Sequence, residues 1–417
     1  MTMKKIKIPA IVLFVTILLF GHLGIFSKFT SNTVHTSPSH EDLFSEDSCN
    51  QSFGKVYLDL GSLAEKRGDL RNAIKCYQSA LEHKEDFLHA YDALGKTLEL
   101  QGKKSEALSL YFKAMSIDPN FIELRFCGST PLKKLAHHNS TAMKNIPSWK
   151  GEDLAGKTIF VYTEKGLGDT IQFCRFLPLL AAQGAKVLIK PQGPLTSLLA
   201  HANLGAEIVA PTVDPATLQC DFHVSLLSLP HLLAATLETI PSPHGYITPD
   251  KEKVLMFKQK HFSTKKQKIG IFWQGDPSHV NDKNRSVPLT SFYAIANLDN
   301  VQLYSLQKGF GSEQLESLPS PVSIINLDNE LASFEDTAAI IANLDLVISV
   351  DSAVAHLAGA LGKPVWILMP KITDWRWLGF SEPETTCWYT SMVKLQQQEA
   401  GNWQEVFDRM IKQLSKK

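Results

Sequence analysis

The sequence lacks an excess of either charge. Its 417 residues contain 42 Lys and Arg against 42 Asp and Glu, so the formal net charge is zero. Proteins that bind nucleic acid usually carry a basic patch that leaves a positive balance, so we expect no nucleic-acid partner. The six cysteines form no C-x-x-C pair and follow no metal-ligand spacing, which argues against zinc-finger and thioredoxin-like sites.

One long hydrophobic run stands at the N-terminus. Residues 8–26 contain 19 positions without a charge, about the length that crosses a bilayer. A cleaved signal peptide is the alternative, but its apolar region is usually shorter and ends at small residues, which this run does not. We predict a basic tip and an uncleaved transmembrane anchor over residues 1–28, followed by a flexible tether over residues 29–51.

A period of 34 residues follows the tether. Small residues at matching positions let two antiparallel helices approach closely, and a tyrosine in each unit fills the space between units. The matching pairs are Gly61 and Gly95, Ala73 and Ala107, Tyr77 and Tyr111, and Ala80 and Ala114. The pattern resembles tetratricopeptide repeats and predicts an all-α segment over residues 52–127.

Two repeats are fewer than such arrays usually need for stability. We therefore expect the flanking segments, roughly 52–59 and 121–127, or the following domain to cover the ends. The segment is either a groove that binds a protein partner or a helical spacer packed on its neighbour, and the sequence leaves both interpretations open.

Strands alternate with helices from Lys157 to the C-terminus. Apolar strand patterns such as "KTIFVY" and "DLVISV" are each followed by a helical pattern, which is typical of parallel sheets covered on both faces. We predict an α/β fold of two Rossmann-like halves, residues 155–262 and 266–417. Such halves place a cleft at the carboxyl ends of both sheets.

The segment "EKGLGDT" follows the first strand. Gly166 and Gly168 allow a tight turn and a close backbone approach, and the next helix begins with free N–H groups. The segment is not a dinucleotide fingerprint, because the third glycine would fall at position 171, which is Ile. Asp169 is either the helix N-cap or a general base in the cleft.

Other polar residues follow the strands of the second half. Arg285 lies in a loop rich in hydrogen-bond donors, and Lys308 follows the next strand, so both are candidates for phosphate contacts. Asp336 and Thr337 open a helix, where capping is the alternative to donor binding. The segment "DWRWL", residues 374–378, can stack on a sugar or a base, or it can hold the final helix in place.

The stretch "DLVISVDSAVAHLAGALGKPVW" joins a buried strand to a helix. Ser352 and the next N–H groups lie on the first helical turn, where an oxyanion gains hydrogen bonds and a favourable dipole. His356 is one turn further on the same face. The G-x-S-x-G signature is absent, which argues against a hydrolase triad.

Together these motifs resemble glycosyltransferase family 9, the heptosyltransferase-like enzymes with a GT-B fold, and more closely bacterial proteins that join tetratricopeptide repeats to such a domain. The resemblance implies that Asp169 is the general base and that Arg285 contacts phosphate. It also implies diphosphate-sugar contacts by the residues of the donor motif: Asp351, Ser352, Ala353 and His356. Ser352 and Ala353 stand where the family commonly has Thr-Gly, so Ala353 adds a Cβ where the backbone meets phosphate.

The resemblance implies an inverting, metal-independent transfer of a sugar from a nucleotide-sugar donor to an acceptor hydroxyl of a glycan or a protein. It implies no cofactor besides the nucleotide-sugar, and no D-x-D-like metal site is evident. Two alternatives stay open: a non-catalytic repeat scaffold with a silent transferase-like domain, and a protein O-glycosyltransferase whose repeats present the target.

The side of the membrane is left open. Lysines at positions 4, 5 and 7 precede the apolar run and only Lys28 closely follows it, which places the N-terminus in the cytoplasm and the remainder outside. Unpaired cysteines and the cytosolic supply of nucleotide-sugars indicate the opposite. We predict a single-pass protein of a bacterial inner membrane.

Overall fold

The computed structural model describes residues 46–118, 143, 145–164, 166–241, 244–279, 282–371, 373, 375–377 and 384–415. The chain divides into two compact units, Met1–Ser52 and Phe53–Lys417. Each helix that the structure describes is too short or too polar to span a lipid bilayer. The predicted anchor at residues 8–26 lies outside the described residues.

Four helices form the repeat segment: α1 (Glu46–Lys66), α2 (Leu70–His83), α3 (Leu88–Leu100) and α4 (Lys104–Ile117). The glycines explain the period. A Cβ on Gly61 would lie 2.4 Å from the Tyr77 ring, and one on Gly95 would lie 2.5 Å from the Tyr111 ring. Each repeat therefore closes because a tyrosine ring rests directly on the backbone of the partner helix. The residues expected to cover the start of the array belong to α1 itself.

The first α/β half contains four parallel strands in the order β3-β2-β1-β4. Their bounds are β1 (Thr158–Tyr162), β2 (Lys186–Lys190), β3 (Ala206–Ile208) and β4 (Phe222–Ser225). The central strand β1 pairs Ile159 with Val187 on one side and with Phe222 on the other. The helices are α5 (Leu167–Phe173), α6 (Leu177–Ala182), α7 (Thr196–His201) and α8 (Leu229–Leu232), with 3-10 turns at Cys174–Phe176, Gly193–Leu195, Pro215–Thr217 and Leu226–Ser228.

The second half contains six parallel strands in the order β10-β9-β8-β5-β6-β7. They are β5 (Gln267–Phe272), β6 (Val301–Ser305), β7 (Ile324–Asn326), β8 (Leu346–Val350), β9 (Val365–Met369) and β10 (Met392–Gln396). The strand order reverses between β5 and β8, as it does between β1 and β4 in the first half. Parallel sheets bind ligands at such switch points, beyond the carboxyl ends of the strands.

The helices described after the first sheet are α9 (Lys251–His261), α10 (Asp282–Arg285), α11 (Tyr293–Ala296), α12 (Phe334–Ala342), α13 (Ala353–Ala360) and α14 (Gln404–Leu414). Turns of 3-10 helix lie at Leu289–Phe292, Ser312–Ser317, Asp328–Glu330 and Trp375–Trp377. The sequence assigned α9 to the first half, but α9 packs on α12, and the ring of Phe262 after it contacts Tyr304 of β6 in a tilted arrangement with centroids 4.7 Å apart.

The repeats and the sheets share one hydrophobic core. Buried residues of α4, including Leu108, Phe112 and Met115, join the same cluster as Leu226 and Leu227 of the first half. The following domain therefore covers the C-terminal end of the repeat pair, as one of the sequence expectations proposed. The predicted architecture, two Rossmann-like halves after an all-α repeat segment, is confirmed.

Candidate functional site

Asp169 lies on the first turn of α5, but it is not the N-cap. Gly166 occupies the N-cap position, and the Asp169 carboxylate reaches back to accept a hydrogen bond from the Gly166 N–H at 3.0 Å. The other carboxylate oxygen accepts from the guanidinium of Arg376. The capping interpretation was therefore correct in kind and wrong in position, and the general-base role of Asp169 stays a prediction.

The sequence predicts for Arg376 only a place in the aromatic segment at residues 374–378. In the structure its side chain crosses from the second half to the first, where Nε donates to Oε1 of Gln172 at 3.1 Å. Its carbonyl accepts from Nε1 of Trp388 at 2.9 Å, and the residue is only 8% exposed. Asp169 and Arg376 are 207 residues apart in the chain, so no local pattern could have joined them.

The start of α5 packs directly on the start of α13. A Cβ on Gly168 would lie 2.9 Å from Cδ2 of His356 and 3.5 Å from Cα of Ala353. Gly168 therefore makes the close backbone approach that the sequence predicted, and the group it approaches is the donor-motif helix. Gly166 needs no such freedom, because its φ of −76° suits any residue.

His356 lies between the two halves. It is 5% exposed, its Nδ1 is 2.8 Å from the Tyr389 hydroxyl, and its ring stacks on Trp377 with centroids 5.1 Å apart. Burial, reinforced by the charges of Arg376 and Arg175, holds the pKa of His356 well below its ordinary value. The imidazole is therefore neutral near pH 7, and donor binding by His356 stays a prediction.

The strand-to-helix turn brings Arg285 to the donor motif. Ser352 is the N-cap of α13, with its hydroxyl 3.3 Å from the Ala355 N–H and 2.9 Å from the Ser349 hydroxyl. Nη1 of Arg285 donates to the Asp351 carbonyl at 2.9 Å, while its Nε contacts Asp282 at 3.2 Å. The structure thus brings together Arg285, Asp351, Ser352 and Ala353, with His356 one turn further along the helix.

Three other predicted residues have their contacts elsewhere. The amine of Lys308 is exposed and lies 3.4 Å from the Asp328 carbonyl. Asp336 accepts from the Ser333 hydroxyl at 2.7 Å and pairs with Lys253 at 2.7 Å, and the Thr337 hydroxyl donates to the Ser333 carbonyl at 3.0 Å. Capping and an ion pair account for these contacts, so donor binding by Lys308, Asp336 or Thr337 stays a prediction.

Among the residues that the structure describes, one group has metal-ligating atoms close together. His201, Asp250 and Glu335 place such atoms within 4.8 Å of one another. Glu335 already faces Nδ1 of His201 at 2.6 Å and the ammonium of Lys253 at 2.9 Å. Because the Lys253 ammonium offsets its charge, the group is better described as a polar cluster that joins α7, α9 and α12.

The carboxyl edge of the first sheet carries polar residues that the sequence did not single out. Glu164 accepts a hydrogen bond from the Ser225 hydroxyl at the end of β4, and Thr170 donates to Gln192 at 2.8 Å after β2. These two side-chain hydrogen bonds join the segment before α5 to β4, and α5 to the loop after β2. These four residues share a place in the sequence: each ends or follows a strand of the parallel sheet, or lies in the helix that comes after one.

Both the repeat segment and the α/β part of the chain are similar to known protein families. Residues 300–403 match the family model for glycosyltransferase family 9 (heptosyltransferase), and residues 54–87 and 88–121 match the tetratricopeptide repeat model. Protein FlbA of Caulobacter vibrioides is 25% identical over 284 residues, which are 63% of this chain and 47% of that protein. The chain thus spans about half the length of this curated relative.

Two solved structures are similar to part of this chain. A family 9 glycosyl transferase from Veillonella parvula matches at a TM-score of 0.46 and 14% identity, over 63% of this chain and 91% of that one. The E. coli ADP-heptose lps heptosyltransferase II matches at a TM-score of 0.45 and 14% identity, over 61% of this chain and 99% of that one.

Proposed function

We propose, from the premise that the chain carries two tetratricopeptide repeats and a glycosyltransferase family 9 domain, that it is a glycosyltransferase. It would transfer a sugar from a nucleotide-sugar donor to an acceptor hydroxyl of a glycan or a protein. One observation carries the proposal: the helix that bears Asp169 touches the first turn of α13 through Gly168, and Arg285 binds the carbonyl at that same turn.

Asp169 is the proposed general base. Its two oxygens accept from the Gly166 N–H and from Arg376, and an ionised carboxylate has about four lone-pair sites, so capacity remains for an acceptor hydroxyl. The acceptor oxygen bonds to the anomeric carbon and gives its proton to Asp169. The bond from that carbon to the diphosphate breaks, and the electron pair leaves with the diphosphate.

The leaving diphosphate would be stabilised by the second half. The N–H groups at the start of α13 and the guanidinium of Arg285 offer hydrogen bonds and positive charge where negative charge develops. We propose that these groups suffice without a metal ion. Because the base comes from the first half and the diphosphate site from the second, acceptor and leaving group would lie on opposite faces of the sugar. A single displacement of this kind inverts the anomeric carbon.

Asp169→Asn tests the base. The amide has the same shape and keeps an oxygen for the Gly166 N–H, but it cannot take a proton. We expect kcat to fall by about 10²–10⁴-fold, the usual contribution of general base catalysis, with little change in the donor KM. The assay is release of nucleoside diphosphate from a panel of ADP-, UDP- and GDP-sugars.

Asp153→Asn is the matched control. Asp153 is an exposed carboxylate that accepts from the Ala155 N–H at 3.1 Å, and asparagine can keep that bond, so its turnover should equal that of the wild type. Undiminished turnover by Asp169→Asn would remove Asp169 from the mechanism. A wild-type chain that releases nothing from the whole panel, and binds none of it in calorimetry, would favour a silent scaffold instead.

We further propose that residues 8–26 anchor the enzyme in a membrane, since 19 uncharged residues match the bilayer thickness. A reporter fused after Lys417 that is active on only one side would identify the compartment of the catalytic domain. Recovery of the full chain in the soluble fraction after cell lysis would contradict the anchor.

A further inference from the structure

The two repeats differ in the burial of one pair of equivalent positions, Gln78 and Phe112. Phe112 of α4 is buried at 1% exposure, whereas Gln78, its equivalent 34 residues earlier in α2, is exposed. A repeat needs no aromatic residue on its outer face unless something covers that face. Among the rings that contact Phe112 is that of Trp388, which lies just before β10 in the second half.

Trp388 lies between the repeats and the candidate base. Its ring makes edge contacts with Phe112, at a centroid distance of 6.0 Å, and with Phe173 of α5, at 5.7 Å. Its Nε1 donates to the Arg376 carbonyl at 2.9 Å. Trp388 is 1% exposed, so any shift of its indole would move the backbone that carries Arg376.

A second buried donor holds the same turn. Nζ of Lys394, a residue 5% exposed, donates to the Trp377 carbonyl at 3.1 Å. The turn Trp375–Trp377 is thus fixed at two successive carbonyls. From this fixed backbone Arg376 extends to Gln172 and Asp169 of the first half.

We propose that the second repeat is a positioning element of the active site. Phe112 holds Trp388, Trp388 holds the backbone of Arg376, and Arg376 holds the Asp169 carboxylate. The role assigned to Asp169 rests on the proposed function. Proton transfer needs its partners within a few tenths of an ångström, and a misplacement of about 1 Å can cost about 10²-fold in rate. The repeats therefore contribute to turnover itself, apart from any partner that they bind.

Phe112→Ala in the full chain is the first test. It removes the ring that rests on Trp388, and we expect kcat for nucleotide-sugar turnover to fall at least tenfold while the donor KM stays within about twofold. Phe112→Leu, which refills most of the volume, should recover part of the loss. Gln78→Ala, the same change at the equivalent site of the first repeat, should behave as wild type. A Phe112→Ala protein that is folded and retains kcat within twofold would overturn the proposal.

A double variant tests whether Phe112 acts on Asp169 through Arg376. Arg376→Lys keeps the charge but cannot bind Gln172 and Asp169 together, so it should also lower kcat. If Phe112 acts through Arg376, the double variant should be little slower than the slower single variant, whereas fully multiplicative losses would contradict the pathway. Should Phe112→Ala fail to fold, Trp388→Phe takes its place, since it keeps the aromatic packing and removes only the hydrogen bond to Arg376.

Hydrogen exchange gives a readout that does not need activity. Phe112→Ala should speed exchange in peptides that contain residues 166–172 and 375–377, and Gln78→Ala should not. Unchanged exchange in both segments would overturn the positioning role even if the chain turned over no nucleotide-sugar. If the wild-type chain turns over no nucleotide-sugar but Phe112→Ala still exchanges faster in these segments, only the proposed function is contradicted.

Discussion

At the scale of single residues, the two glycines of the "GLGD" loop have different roles. Gly166 contributes an N–H to Asp169, and a Cβ there would meet only an Asp169 oxygen, at 3.4 Å. Gly168 has no room for a Cβ, because the His356 ring edge would be 2.9 Å away. The sequence predicted close approach at this loop without indicating that the approaching group would be a histidine of the other half.

Gly168→Ala should therefore disturb the site. The His356 ring cannot retreat easily, because Tyr389 binds its Nδ1 and Trp377 stacks on its face. We expect the two halves to separate slightly, which would lower kcat about tenfold or more and reduce stability by about 1–3 kcal/mol. Gly193→Ala is the control, because no atom lies within 4 Å of its added Cβ. Equal activity of the two variants would show that the contact between α5 and α13 can yield without cost.

At the scale of elements, the repeat helices were predictable because their contacts are local. The spacing of Gly95 and Tyr111 is set within one pair of helices, and the ring fills the space that the missing Cβ leaves. The strand β10, Met392–Gln396, was missed because it is a short edge strand that begins with two successive apolar residues, so its sequence does not alternate strictly. The pair of Arg376 with Asp169 was missed for a different reason: the two residues meet only through the tertiary fold.

Gly95→Ala tests the packing of the second repeat. The added methyl would lie 2.5 Å from the Tyr111 ring, which is itself fully buried. We expect a loss of about 1–3 kcal/mol from overpacking, seen as a lower midpoint of thermal unfolding. Tyr111→Leu removes the ring atoms that clash. The double variant should therefore lose less stability than the sum of the losses in the two single variants. Strict additivity would mean that the glycine and the tyrosine are independent.

At the scale of the whole molecule, the two α/β halves are joined by charged contacts as well as by apolar packing. The carboxylate of Asp169 in the first half pairs with Arg376 of the second, and His201 of the first half faces Glu335 of the second. The sequence predicted both halves and a cleft at the carboxyl ends of their strands, since strand and helix patterns are local. It could not predict which charges meet across the cleft, because that depends on how the halves close.

The stability of this closed arrangement should depend on pH through His356. Its pKa is lowered in the folded chain, first by burial and then by Arg376 and Arg175, while the unfolded chain titrates near 6.5. Below about pH 6.5 the unfolded state takes up a proton that the folded state refuses, so stability falls as the pH falls. For one such group the loss between pH 8 and pH 5 is at most about 2 kcal/mol, the limit set by protonation of the unfolded side chain.

His356→Asn removes this titration and keeps a polar group near the Tyr389 hydroxyl. At pH 8 the variant should be less stable than the wild type, because it loses the ring that stacks on Trp377. At pH 5 the gap should be narrower, by at most about 2 kcal/mol. His223 and His231 also have pKa values lowered by burial, but both are present in wild type and variant and cancel in the comparison. Denaturant unfolding curves at the two pH values measure the gap, and a gap of constant size would mean that His356 accepts a proton within the folded protein.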